Sequence, residues 1–164
     1  MTFEYQKYNY DANQESGTYE ALAKHSKIYG YISQTLNNPR ILHEVMELTG
    51  EKDLIGFWGR LYRLEPDGNQ RFDWHKDIDT GKRIAVSINI SPKPFTGGEL
   101  IFRLEGRPES EIKIHNVGEG DAVFFLIDRA YEHKVLPLSG EASKYAITGW
   151  FQTMAPPPFS VVYA

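Results

Sequence analysis

RIAVSINISPKPFTGGELIFR, residues 83–103, decides the fold. Arg83 to Ile90 is rich in β-branched residues and has the two-residue period of a strand. Pro92-Lys93-Pro94 and Gly97-Gly98 then break the chain, and Glu99 to Arg103 opens a second such run with no helical stretch between. The pattern recurs on both sides, in Leu54–Leu64, Arg71–Trp74, Glu111–His115, Ala122–Ile127, Tyr131–Leu136 and Lys144–Gln152. Pro66-Asp67-Gly68-Asn69, Thr80-Gly81, Gly106, Gly118-Glu119-Gly120 and Ser139-Gly140 punctuate the gaps. Short strands joined by turns, without intervening helices, predict a sandwich or barrel and exclude a βαβ fold.

The first third reads differently. From Thr18 to Leu36, Leu22, His25, Tyr29, Ile32 and Leu36 recur every three or four residues, which predicts an amphipathic helix. Asn38 before Pro39 reads as an N-cap with proline at the first helical position, and Gly50 as a left-handed C-terminal cap. Ile41, Leu42, Val45, Met46 and Leu48 form the apolar stripe of that second helix. The expected organisation is a single domain over 1–164: helical support over about 17–50, a β core over about 55–152, and a Pro-rich tail over 154–164. Tyr5, Tyr8 and Tyr10 suggest an aromatic strand or clamp, with packing onto the sheet the expected role.

Composition narrows the function. The chain has 164 residues, enough for one substantial core, and a net charge of −4, which offers no electrostatic footprint for nucleic acid or an anionic membrane. Cysteine is absent, so disulfides, thiolate metal sites and thiol nucleophiles are excluded. The N-terminus lacks the basic-then-apolar pattern of a signal peptide, and no apolar run suits a membrane span, so a cytoplasmic protein is expected. No Gly-x-Ser-x-Gly elbow or phosphate-binding lysine motif is present, and the paired glycines read as turns because no helix follows them.

Among five histidines, His25 and His43 fall on predicted helices and His115 at a strand end, where structural roles are the default. His75 and Asp77 lie at i and i+2, so on extended backbone both reach one face. With His133 from a distant strand they would form two imidazoles and one carboxylate on one side of a metal. That arrangement leaves coordination positions open and suits non-haem Fe(II). Lys144 begins the last strand on the face shared with Ala146, Thr148 and Trp150, opposite Tyr145, Ile147 and Phe151. If Lys144 faces inward its ammonium calls for an anion; if outward it is merely solvated, and both faces are too apolar for periodicity to choose. Trp58 and Trp74 are expected in the core or pocket wall, with Trp150 nearer the metal.

The segment from Gly56 to Gln152, roughly 60% of the chain, resembles the Fe(II)/2-oxoglutarate-dependent oxygenases of the prolyl-hydroxylase-like branch. Phe72-Asp73-Trp74-His75-Lys76-Asp77, Ile88-Asn89, Gly97-Gly98-Glu99-Leu100-Ile101-Phe102, Gly120-Asp121-Ala122-Val123-Phe124-Phe125, His133-Lys134-Val135-Leu136-Pro137-Leu138 and Lys144 to Phe151 carry the likeness by their order and spacing. The resemblance implies a double-stranded β-helix, the cupin-like jelly roll, mainly β and braced by N-terminal helices. It implies Fe(II) held by His75, Asp77 and His133, and 2-oxoglutarate held at its C5 carboxylate by Lys144. It implies O₂ as oxidant, ascorbate as a stimulant, and no catalytic group beyond the metal centre. Asp77 speaks against halogenation, since halogenating relatives lack that carboxylate. Two departures stand out: Leu64 occupies a position where relatives often carry tyrosine, with Tyr62 two residues earlier, and Ser87 replaces a second tyrosine. Tyr62 and Thr148 are the candidate further contacts to 2-oxoglutarate. Ser87, Trp150, Arg71, Arg129 and Tyr131 are candidates for supporting or substrate contacts, as is the loop from Asp67 to Arg71.

The resulting expectation is a monomeric or homodimeric hydroxylase of an unactivated C–H bond, in a proline or other amino-acid residue, free or within a peptide or protein. Two rivals stand beside it: a cupin-type metal enzyme that does not use 2-oxoglutarate, and a non-enzymatic jelly-roll binding module.

Overall fold

The computed structural model describes residues 5–12, 15–22, 27–66, 70–115 and 118–155. A hairpin of β1 (Tyr5–Ala12) and β2 (Glu15–Leu22) leads into α1 (Lys27–Leu36) and α2 (Pro39–Thr49). Then follow β3 (Gly56–Leu64), β4 (Arg71–His75), β5 (Lys82–Asn89), β6 (Leu100–Leu104), β7 (Ile112–Ile114), β8 (Ala122–Leu126), β9 (Tyr131–Val135) and β10 (Lys144–Gln152). The described pairings are all antiparallel, and their path runs β7-β6-β9-β4-β2-β3-β10-β5-β8, with β1 alongside β2.

This path folds back on itself as a jelly roll. The β3-β10-β5-β8 half faces the β4-β9-β6-β7 half, and rings from the two meet: Phe102 and Phe125 at 4.8 Å, Tyr62 and Phe72 at 5.6 Å. The outer face of the first half carries the helices. Leu42 and Val45 of α2 pack on Phe57, Ile84, Val86 and Phe151, while Tyr29 of α1 packs on Leu61. Phe151 is 1% exposed, and burying a side chain of that size stabilises by about 2–3 kcal/mol. Polar pins fix the docking angle: Tyr29 Oη donates to Gly59 O at 2.7 Å, and Asn37 exchanges two bonds with the backbone of Phe57. As expected, Asn38 accepts from Arg40 N, Pro39 follows it, and Gly50 closes α2 at φ 73°.

One helix starts later than its periodicity suggests. Thr18 to Leu22 belongs to β2, and α1 begins only at Lys27. β2 pairs with β1 throughout and bridges both halves, through Glu20↔Arg63 and Ala21↔Tyr62 to β3 and Gly17↔Phe72 and Thr18↔Arg71 to β4. Pairing on both sides satisfies the backbone of a segment whose Gly17, Thr18 and Tyr19 are weak helix formers. Tyr5, Tyr8 and Tyr10 lie on β1. His25, Asp67 to Asn69 and the tail beyond Ala155 lie outside the described residues. Among the described residues no helix is long and apolar enough to cross a membrane.

Candidate metal centre

His75 ends β4 and His133 sits in mid β9, where the two residues pair across the ladder. Phe72 pairs with Val135, two residues from His133, so β4 fits three steps against two. This bulge turns His75 inward beside Phe72 and sends Trp74 out. The sequence expectation for Trp74 therefore fails: it lines neither core nor cavity but packs under Arg103 at 3.8 Å and Lys134 at 4.3 Å. Strict alternation would have put Trp74 with Phe72; the extra residue reverses its face.

Asp77 follows on the segment after β4, which Lys76 ties down through Glu105 at 2.6 Å and the carbonyl of Arg129 at 2.7 Å. One ligand atom from each of His75, Asp77 and His133 lies within 4.8 Å of the others. His75 Nε2 is 3.9 Å from Asp77 Oδ1, and His133 Nε2 is 3.5 Å from Asp77 Oδ2. Metal–nitrogen bonds of about 2.1 Å put neighbouring donors roughly 3 Å apart, so a small contraction suffices to close this set on an ion. His75 Nδ1 lies 2.7 Å from the carbonyl of Asp73, which can only accept. Nδ1 therefore carries a proton, and Nε2 is the ring nitrogen turned toward Asp77. Burial, reinforced by His75 and opposed by Asp77, holds His133 at about 4, neutral and able to ligate at physiological pH. The donor set fits Fe(II): two imidazoles and one carboxylate, from one side.

Lys144 faces inward and is 3% exposed. Both faces of β10 are apolar because both are covered: Ile147 and Phe151 meet the helix side, while Ala146 packs with Tyr62, Leu64 and Phe72. The ammonium donates to Gly98 O at 2.6 Å and lies 5.5 Å from the Phe95 ring centre. Burial lowers Lys144 to about 8, with Glu99 pulling the other way. The carbonyl reaches it because Gly97 and Gly98 turn at φ 80° and 66°. A Cβ on Gly98 would come within 2.8 Å of Leu138 Cδ2 and 3.2 Å of Lys144 Cδ. The paired glycines are thus a turn, as expected, and one that aims an acceptor.

His75, Asp77, His133 and Lys144 line one cavity of about 860 Å³, counting its open mouth. Tyr62, Thr148, Ser87 and Trp150 line it as well. Tyr62 is fully buried, which pushes its phenol up, and its hydroxyl bonds the Ser87 side chain. Leu64, at 0% exposure, is core. The rings of Trp58 and Trp150 meet at 5.2 Å, tilted by 32°. Arg71 is not brought to the cavity; it pairs with Asp73 at 3.0 Å on the outside. Arg129 is exposed and contributes its carbonyl to Lys76. Tyr131, 49% exposed, lines a second, apolar groove that reaches Asp77 and His133 between β7 and β8. His43 is exposed on α2, whereas His115, read as structural, lines the main cavity. Arg60 and the Gly98 carbonyl went unnoticed in the sequence. Arg60 had a signal, since alternation on β3 places it with Tyr62 on the inner face; a backbone carbonyl has none.

The sequence pattern of the 2OG-Fe(II) oxygenase superfamily matches residues 59–152. No curated protein sequence matches the chain. A 2OG-Fe(II) oxygenase-family oxidoreductase from Burkholderia pseudomallei superposes with TM-score 0.69 at 13% identity, covering 93% of this chain and 74% of that one. A Pseudomonas putida prolyl-4-hydroxylase gives 0.58 at 20%, with the same coverage. A Phytophthora capsici prolyl 4-hydroxylase gives 0.54 at 16%, over 78% of this chain and 45% of that one. At these identities the likeness is one of fold.

Proposed function

The chain belongs to the 2OG-Fe(II) oxygenase superfamily, and on that premise we propose that it hydroxylates an unactivated C–H bond of a proline or other amino-acid residue. Fe(II), 2-oxoglutarate and O₂ are the cofactor and cosubstrates of such a 2-oxoglutarate-dependent dioxygenase. The observation that carries the reading is one cavity holding both the His75, Asp77 and His133 cluster and the buried Lys144. The prolyl-4-hydroxylase names of two fold neighbours favour proline among the amino acids.

In this reading His75, Asp77 and His133 hold the iron. When bound, it supplies the oxygen chemistry: O₂ and 2-oxoglutarate are consumed, succinate and CO₂ leave, and one oxygen enters the substrate C–H bond. The chain's own residues bind and orient. Asp73 fixes the His75 ring through the Nδ1 proton. Lys144 holds the C5 carboxylate of 2-oxoglutarate as a point charge, pre-aimed by the Gly98 carbonyl. Tyr62, steadied by Ser87, and Thr148 offer hydroxyls on the same inner face. Phe72, Leu100, Val123, Phe125 and Val135 wall the cavity and keep water from the reacting centre. No protein acid or base is required.

The test is an anaerobic titration with Fe(II) and then 2-oxoglutarate, following the weak visible charge-transfer band of the chelate. Aerobic incubation with amino-acid and peptide libraries then seeks a product one oxygen heavier, matched by succinate. Iron binding without the band would overturn the reading in favour of a metal enzyme independent of 2-oxoglutarate. Absence of iron binding would leave a binding module.

A further inference from the structure

We propose that the substrate is an extended, apolar peptide segment that pairs antiparallel with the open edge of β8 and thereby presents one residue to the metal cluster. The inference rests on the oxygenase reading above and adds the substrate class to it, a peptide or protein segment rather than a free amino acid.

β7 and β8 are the two ends of the sheet path. Among the described residues each pairs on one side only, β7 with β6 and β8 with β5. The two edges differ in chemistry. β7 is three residues long and carries Lys113 at its centre, tied to Glu99 at 2.7 Å, a charge of the kind that discourages strand addition. β8 reads Ala122-Val123-Phe124-Phe125-Leu126, about 17 Å of strand without a charge, and Leu126 is exposed. An uncharged apolar edge is a template for another strand.

The ladder shows which backbone groups that edge offers. Asp121 O accepts from Asn89 N, and Ile127 N donates to Arg83 O, both at 2.9 Å. The β5–β8 register is unbroken between them, so Val123 and Phe125 also turn their N–H and C=O groups toward β5. Ala122, Phe124 and Leu126 turn theirs to the open side. A strand added there exchanges backbone bonds with Phe124 and Leu126, while its residue opposite Phe125 turns its own N–H away. That central residue therefore tolerates proline. Its side chain shares the inner face with Phe125, whose ring centre is 5.0 Å from that of His133.

The groove along this edge fits the same occupant. Ile112 and Ile114 of β7 face β8 across it, with Phe102 and Tyr131. It shares Asp77, His133, Ile114, Val123 and Phe125 with the main cavity, so a chain lying in the groove reaches the metal cluster without a break. Its acidic residues are Asp77, of that cluster, and Asp128, whose Oδ1 accepts from Ala130 N. No lysine or arginine lines it to meet the carboxylate of a free amino acid, whereas uncharged side chains two residues either side of the centre would bury against its apolar wall.

The probe is the labelled heptapeptide Thr-Val-Thr-Pro-Thr-Val-Thr, acetylated and amidated, together with a set carrying each other amino acid at the centre. Fluorescence anisotropy follows its binding to the protein loaded anaerobically with Fe(II) and 2-oxoglutarate, and the visible band is recorded on the same samples. At least one member is expected to bind. N-methylation of either residue next to the centre should weaken it about 3- to 10-fold, the loss of one backbone bond, whereas N-methylation of a non-proline centre should change nothing. Glutamate in place of the two valines should weaken it by at least about tenfold. Leu126→Pro deletes one outward N–H without touching the β5 ladder; it should cost the same 3- to 10-fold or so and leave the 2-oxoglutarate titration unchanged, while Leu126→Val binds as the parent does. Failure of the whole set to bind, equal losses from N-methylation at every position, or free amino acids binding as tightly as the peptides would overturn the proposal. So would a dimer that Leu126→Pro dissociates and that binds no peptide, which would give this edge to a second copy of the chain. If Leu126→Pro does not fold, the N-methylation pattern on the unaltered protein decides. Peptide binding with the expected pattern but no visible band would overturn the oxygenase reading and keep the edge as a peptide site; the band without peptide binding would do the reverse.

Discussion

Replacing Lys144 by methionine keeps the length of the side chain, removes its charge, and should move stability and cosubstrate affinity in opposite directions. Burial lowers Lys144 from 10.5 to about 8. A displacement of that size corresponds to about 3 kcal/mol of destabilisation while the amine is charged. The substitution relieves this cost but strips Gly98 O of its 2.6 Å donor, which takes back about 1–2 kcal/mol. The cosubstrate-free variant should therefore be more stable by about 1–2 kcal/mol, a melting increase of roughly 5 °C for a domain of this size. Affinity for 2-oxoglutarate should fall by about 3–5 kcal/mol, on the order of a hundredfold or more, because a carboxylate would enter a dry site without its cation. Thermal melts of the free protein and anaerobic titration of the visible band read the two effects separately. A variant that melts below the parent, or that binds 2-oxoglutarate unchanged, would refute the reasoning: the first would make the lysine a structural strut, the second would place the anchor elsewhere.

Other consequences concern pH, the metal and the turn. Because the folded value of Lys144 lies below the unfolded one, the unfolded chain binds more protons between about 8 and 10.5. Stability of the free protein should thus carry the full penalty below about pH 8 and gain as pH rises through that window, whereas the Met variant lacks this contribution. Affinity for 2-oxoglutarate needs the ammonium, so it should fall over the same window by up to about tenfold per pH unit, measured by the band at fixed iron. Asp77→Ala removes the only carboxylate of the cluster and should weaken Fe(II) binding by at least roughly a hundredfold, read as metal content after dialysis; retention of iron would exclude this cluster as the site. Gly98→Ala forces a Cβ into Leu138 and Lys144 at φ 66°, and should cost about 1–3 kcal/mol in denaturant unfolding while raising the 2-oxoglutarate requirement several-fold. An unchanged requirement would show that the Gly98 carbonyl does not aim the lysine.

The β core was legible because each of its strands carries a local signal: β-branched and aromatic residues at period two, closed by Gly, Pro and Asn. All eight expected strand segments appear, most displaced at an end by one or two residues. The second helix was equally plain, since Asn38, Pro39 and Gly50 are terminal signals read within a few residues. His75 and Asp77 could be paired from their spacing alone, and His133 and Lys144 could be added from resemblance.

Other features depended on residues far apart in the chain. Thr18 to Leu22 looks helical until β1, β3 and β4 supply its backbone partners. Trp74 looks internal until the bulge against β9 adds a residue and reverses its face. The face of Lys144 was undecidable, since helices cover one side of β10 and the second half of the roll covers the other, making both apolar. Sequence by itself determined the strands of the β core, the second helix, the candidate metal-ligand residue types and the family, because local periodicity and motif order are written in neighbouring residues. Tertiary structure alone decided which groups share the cavity, from the Gly98 carbonyl under Lys144 to Arg60 between Phe72 and Trp150, because packing, register and desolvation arise only when distant strands meet.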